Sequence, residues 1–305
     1  MQFGHFDLEN KEYFHKLEEV DIDFTNAVLR HSADKSIIYK EVNGEPVYLG
    51  YYFPKNYDKT EKYPIFVFIH GGGWASHRIF DDQTQWSGDY LGYLARYYAD
   101  RGFLCVSIDY RLAIENGQLP GYEIIDSYED CCDAMDYIIS HAEEYGADTE
   151  NMYLLGESAG GHLAGAVATF HYDRRYVFQN VFFINAITEL FDKTWFTRVP
   201  KESRHKEMAT LNMKEKARFL SPLYQVDDAI GSVVLIHGEA DSCVLPEHSK
   251  KFYQRMCELS KPCDLHIIEK TNHAFLLAEY TDNLTACKIG IDILNQYLDR
   301  KQVIG

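Results

Sequence analysis

The stretch Met152-Tyr153-Leu154-Leu155-Gly156-Glu157-Ser158-Ala159-Gly160-Gly161 decides how the rest of the chain is read. A short apolar run enters a glycine-flanked serine, and a segment rich in small residues, Ala159 to Phe170, follows as a predicted helix. Residues 156–160 match G-x-S-x-G in the context that gives the pattern meaning, a strand running directly into a helix. Such a turn presents the serine Oγ at the carboxyl edge of a sheet, with a helix N-terminus behind it. Small residues at 156, 159, 160 and 161 let the two backbones approach closely. The alternative, a glycine-rich turn carrying a chance serine, does not account for the flanking strand and helix.

Upstream, Tyr63-Pro64-Ile65-Phe66-Val67-Phe68-Ile69-His70 is apolar on both faces and ends in glycines, as a strand buried on both sides does. Phe103 to Ile108, Val181 to Ile184, Val233 to Ile236 and Leu265 to Ile268 repeat the pattern. Helical periodicity separates them over about residues 88–101, 125–145, 247–259 and 284–300. Strands alternating with helices predict an α/β fold with a mostly parallel central sheet and helices on both faces. Two β-like runs, SIIYKEV and PVYLGYYF, flank Asn43-Gly44, a hairpin turn signal, and predict an antiparallel hairpin at one sheet edge. No linker or repeat divides the chain, so residues 1–305 are expected to form one domain. Residues 187–225 carry no clear strand and read as an insertion; with the N-terminal segment 1–40 they are the candidate small cap.

The chain has 305 residues and a net charge of −17, which disfavours nucleic acid and anionic membrane surfaces as partners. It lacks an 18-residue apolar run, and its N-terminus reads without a secretory signal. Seven cysteines, an odd number with no C-x-x-C pair, suit a reducing compartment, so a cytoplasmic location is expected. Adjacent Cys131 and Cys132 read as ordinary helix packing.

His70-Gly71-Gly72-Gly73-Trp74 follows a buried strand. Consecutive glycines leave N–H groups open to a developing oxyanion, and no G-K-[ST] follows, which excludes a P-loop. A serine hydroxyl needs a positioned base. Of 13 histidines, His273 lies on a loop just past the last strand, at the carboxyl edge. His237 and His266 belong to strands, His162 lies one turn into the nucleophile helix, and His70 shapes the glycine loop. Asp241, in Gly238-Glu239-Ala240-Asp241 after the fifth strand, is the candidate acid; Glu239 is the second choice and Asp264 starts a strand at the wrong edge. The chain order is Ser158, Asp241, His273.

HGGGW at 70–74, DYRL at 109–112, GESAGGHLA at 156–164, SPL at 221–223, HGEAD at 237–241 and NHAF at 272–275 together resemble the α/β-hydrolase-fold carboxylesterases, on the hormone-sensitive-lipase-like and acetyl-esterase-like side. The resemblance covers roughly residues 45 to 300 and is specific for the superfamily, not for a substrate. It implies Ser158 as nucleophile, His273 as base and Asp241 as its orienting acid. It also implies an oxyanion hole from the N–H groups of Gly72, Gly73 and Ala159, with Gly71 an alternative donor. The implied reaction is hydrolysis of a small-molecule ester, with short acyl chains expected, through an acyl-enzyme and without metal or organic cofactor. Activated amides of the arylformamidase type, carbohydrate acetyl or feruloyl esters, and a non-catalytic binder on the same scaffold are the rival readings. Oligomeric state is left open, a homo-oligomer included.

Overall fold

The computed structural model describes residues 30–75, 78–80, 86–89, 91–114, 121–170, 176–227, 230–273, 275–276 and 284–298. Most of the N-terminal segment 1–40, Ala274 and the end of the last predicted helix lie outside them. Ten strands are described: β1 Lys35–Val42, β2 Glu45–Tyr52, β3 Tyr63–Ile69, β4 Arg78–Phe80, β5 Trp86–Asp89, β6 Leu104–Ile108, β7 Ala147–Glu157, β8 Asn180–Ile184, β9 Val233–Gly238 and β10 Cys263–Ile268. The helices are α1 Gly92–Ala99, α2 Ile124–Ser140, α3 Ala159–Thr169, α4 Met213–Phe219, α5 Glu247–Glu258 and α6 Leu284–Leu298.

Eight strands form one sheet in the order β1-β2-β6-β3-β7-β8-β9-β10. From β6 to β10 every pairing is parallel, while β1–β2 and β2–β6 are antiparallel. The turn between β1 and β2 places Asn43 and Gly44 at φ 55° and 83°, the left-handed pair that a two-residue hairpin requires. This is an α/β-hydrolase fold.

Alternation along β3 separates the two faces. Ile65, Val67 and Ile69 pack with residues of α2, α3 and α5, whereas Phe66 and Phe68 pack with residues of α1 and α6. Side chains buried on both faces explain why these strands read as unbroken apolar runs. The chain leaves β3 for β6 on one side and crosses to β7 on the other, so the order reverses beside β3. In open α/β sheets that switch point, at the carboxyl ends of the strands, is where ligands bind.

Two sequence expectations need correction. The helix expected from residue 88 starts at Gly92, because Trp86–Asp89 pairs with Arg78–Phe80 as a short antiparallel ribbon. Strands of three and four residues are too short to impose a period on the sequence. The helix expected over 125–145 ends at Ser140, and turns carry the chain to Gly146 at φ 60°.

The insertion at 187–225 is a small helical excursion: a 3-10 turn at Trp195–Arg198, α4, and a second 3-10 turn at Pro222–Tyr224. It is anchored at the start of α2. The Ser203 hydroxyl donates to Glu123 Oε2 at 2.7 Å, and the Arg204 N–H donates to Glu123 Oε1 at 3.0 Å. Trp195 reaches the sheet side and meets Trp74 edge-on, with ring centroids 5.8 Å apart. Among the described residues no helix is long and apolar enough to cross a membrane.

Candidate active site

Ser158 sits between β7 and α3 at φ 55°, ψ −118°, a region that non-glycine residues rarely occupy. The structure keeps it there by close packing. A Cβ at Gly156 would overlap the Gly160 carbonyl, and one at Gly160 would overlap the carbonyl oxygens of Ile69 and His70. Gly160 thereby lets the start of α3 press against the end of β3, where the glycine loop begins. Gly160→Ala is expected to destabilise the fold by about 3 kcal/mol, as overpacking against unyielding backbone does. An urea midpoint unchanged from the parent would contradict that packing.

The histidine and the acid come from neighbouring strands at the same sheet edge. Asp241 follows β9 and His273 follows β10. The ends of β8 and β9 and the histidine loop are tied together by Asn185, whose amide donates to the His273 carbonyl while its Oδ1 accepts from Gly238 N–H at 2.9 Å. His273 Nδ1 lies 2.6 Å from Asp241 Oδ2, and Nε2 lies 2.9 Å from Ser158 Oγ. An ionised carboxylate only accepts, so Nδ1 carries the proton and Nε2 offers its lone pair to the hydroxyl.

The Asp241 carboxyl is buried, which alone would raise its pKa. Hydrogen bonds from His237 and His273, with the His273 charge and the Val244 N–H, outweigh burial and hold it well below the usual carboxylate range. The N–H groups of Cys243 and Val244 each donate to Asp241 Oδ1 at 2.9 Å. Burial would lower the pKa of His273, but the Asp241 hydrogen bond and the charges of Glu157 and Asp241 raise it above the ordinary imidazole value.

The glycine loop lies alongside. Gly72 and Gly73 have φ of 84° and 65°, and Trp74 follows at 57°. The buried Tyr110 hydroxyl donates to the carbonyls of His70 and Gly71, at 2.8 and 2.9 Å, and its ring stacks on His70. With those carbonyls turned toward Tyr110, the next peptide units are held in one orientation. Among the described residues, no backbone carbonyl accepts from Gly72 or Gly73 N–H. Ala159 is the first residue of α3, where N–H groups have no partner within the helix.

The other sequence candidates lie elsewhere. Glu239 Oε2 accepts from Lys270 N–H at 3.1 Å. Asp264, at the opposite end of β10, accepts from the Tyr297 hydroxyl at 2.8 Å, and His266 also bonds Tyr297. His162 is buried beneath the turn and bonds the Leu220 carbonyl; burial lowers its pKa to about 4 and keeps it neutral. Cys131 and Cys132 are buried in α2.

Comparison with known proteins adds the family. A sequence profile described as BD-FAE matches residues 49–256, more than half of the chain. The chain belongs to the BD-FAE family. This BD-FAE member falls within the α/β-hydrolase carboxylesterase and lipase-like superfamily. It is 35% identical over 142 residues to arylacetamide deacetylase of Oryctolagus cuniculus, covering 45% of this chain and 32% of that protein. It is 26% identical over 266 residues to LipM of Mycobacterium tuberculosis, described as a probable carboxylic ester hydrolase, covering 80% of this chain and 57% of that protein. The chain therefore spans about a third to somewhat over half of these relatives' lengths. In fold it resembles the thermophilic esterase Est2 of Thermogutta terrifontis, with TM-score 0.69 at 22% identity over 87% of this chain and 93% of that one. The BD-FAE match contains Ser158 and Asp241 and ends before His273.

Sequence reasoning passed over three residues of the site in this BD-FAE chain. His237, read as a buried strand histidine, is buried and also lies 3.3 Å from Asp241 Oδ2, bonding the Val244 carbonyl and Ser249 besides. Asn185 ties three segments together, and its only sequence signal is a polar residue directly after a buried strand. Glu157 occupies the unspecified position of G-x-S-x-G, yet it is buried and its Oε1 lies 3.6 Å from His273 Nε2. Its signal was a charged residue at the end of an apolar strand.

Among the described residues, Asp126, Glu129 and His205 have side-chain donors within 4.8 Å of one another, a spacing metal ligands show. Asp126 is already paired with Arg111 and Arg204, which place positive charge where a cation would sit. The arrangement fits an ionic clasp between the insertion and α2.

Proposed function

We propose that this chain is a serine esterase, a carboxylic ester hydrolase acting on small esters with short acyl chains. The observation that carries this reading is the continuous hydrogen-bonded chain of hydroxyl, imidazole and carboxylate, at 2.9 and 2.6 Å, beside a glycine loop. Ser158 Oγ attacks the ester carbonyl while its proton passes to His273 Nε2. The resulting oxyanion is held by the N–H groups of Gly72, Gly73 and Ala159, donors aimed at charge absent from the substrate. His273 then protonates the leaving alcohol, and water removes the acyl group by the same route. Asp241 keeps the imidazole in the required tautomer and stabilises its cation. The names of the relatives support this reading, and the Est2 structures with propionate and butyrate bound support short acyl groups.

A panel of p-nitrophenyl esters from acetyl to decanoyl tests the reading, with turnover expected to fall beyond the short chains. A fluorophosphonate should label the protein at a single serine. Absence of both turnover and labelling would leave a binding protein on a hydrolase scaffold. The similarity to arylacetamide deacetylase favours adding an aryl amide to the panel, because the same geometry attacks activated amides.

A further inference from the structure

Beside the chain of Ser158, His273 and Asp241 stands a carboxylate which that chain does not use. Glu157 ends β7 as the residue before Ser158, and its side chain is only 3% exposed. Asp241 approaches His273 at Nδ1, whereas Glu157 Oε1 approaches at Nε2, 3.6 Å away. The imidazole is thus bracketed by two carboxylates, one at each ring nitrogen. The groups facing it are Glu157 and Ser158 at the end of β7 and Asp241 from the loop after β9 with His237 behind it, while the Asn185 amide at the end of β8 holds the His273 backbone carbonyl. Cys243 adds a thiol to the surroundings of both carboxylates; burial, with the Asp241 and Glu157 charges, raises its pKa to about 11, so it stays neutral there.

We propose that Glu157 is a positioning residue of this site, stabilising the His273 imidazolium at its Nε2 edge while Ser158 is acylated. This rests on the esterase reading above. At 3.6 Å Glu157 lies beyond a direct hydrogen bond, so it acts by charge. When the Ser158 proton moves to Nε2, it arrives at the ring nitrogen that Ser158 Oγ approaches at 2.9 Å and Glu157 Oε1 at 3.6 Å. The proton remains on His273 until it passes to the leaving alcohol. Glu157 forms and breaks no bond. A carboxylate at this distance in a buried site favours the cation, and therefore favours the state in which the serine has lost its proton.

The sign of the effect separates this role from simple packing. The free enzyme needs neutral His273, so a neighbouring negative charge moves the acid limb of kcat/KM upward. Glu157→Gln keeps shape and removes charge. It is expected to move that limb down by about one pH unit and lower the plateau about tenfold. Glu157→Asp, which restores the charge, should bring the limb back toward the parent. A lowered plateau with an unmoved limb would reduce Glu157 to packing and overturn the proposal.

An NMR titration of the His273 ring, assigned by its loss in His273→Asn, reads the same shift without turnover. A fall of about one unit in Glu157→Gln is expected. A ring pKa equal to the parent's overturns the proposal whatever the activity. A shifted ring in a protein that cleaves no ester would instead overturn the esterase reading and leave the contact standing.

Discussion

Ser158→Ala is expected to lower kcat on the best ester of the panel by about a millionfold and to abolish fluorophosphonate labelling. The loss is that large because nucleophile and base act as a unit. Without Oγ the His273 imidazole has no proton to take, and only the oxyanion donors and binding contribute. The backbone sharpens the test. Serine at φ 55°, ψ −118° carries strain that alanine retains, whereas glycine tolerates that region. Ser158→Gly should therefore be as inactive as Ser158→Ala but about 1 kcal/mol more stable, since relief of strain outweighs the added freedom of the unfolded chain. Denaturant midpoints of the two variants give the comparison. Residual activity within a hundredfold of the parent in either variant would remove Ser158 from its role.

Asp241→Asn should cost about ten-thousandfold in kcat with little change in fold. Asp241 Oδ1 accepts two backbone N–H groups, which an amide oxygen can also accept. Oδ2, by contrast, faces His273 Nδ1 at 2.6 Å and His237 Nε2 at 3.3 Å. An NH₂ placed there confronts donors with a donor. The imidazole escapes by moving its proton to Nε2, the nitrogen that must be free to receive the Ser158 proton. The ring-nitrogen chemical shifts of His273 would report the changed tautomer directly. Glu239→Gln and Asp264→Asn are the controls: both carboxylates are bonded away from His273, and both variants should stay within about twofold, as ordinary surface changes do. A loss under tenfold in Asp241→Asn would assign the orienting role to another group.

The resistance of such a site to small changes depends on how tightly its pieces are joined. Ser158, Asp241 and His273 leave the ends of β7, β9 and β10, and parallel pairing through β8 brings those ends to one edge. Tyr110 fixes the glycine loop from the opposite side of β3, through two carbonyls. Each tie is a buried hydrogen bond whose loss leaves an unsatisfied polar group, so errors there are costly and the arrangement stays in one state.

Local pattern singled out Ser158, the glycine loop, Asp241 and His273 as candidates, because each stands in a short-range signature, and the structure brings the three side chains within hydrogen-bond distance. Asn43-Gly44 can adopt the left-handed turn that a hairpin needs. The five parallel strands inside the sheet, β3, β6, β7, β8 and β9, must be apolar on both faces, and a serine on a tight strand-to-helix turn must be flanked by small residues. These constraints act within a few residues and are therefore written in the chain. Trp86–Asp89 as a strand, Asn185 as a tie and Glu157 at the Nε2 edge of His273 were settled only when distant segments met. Their meaning depends on distances of a few ångströms between parts of the chain up to a hundred and more positions apart, and no local preference encodes a charge's effect on a ring that is brought to it by packing alone.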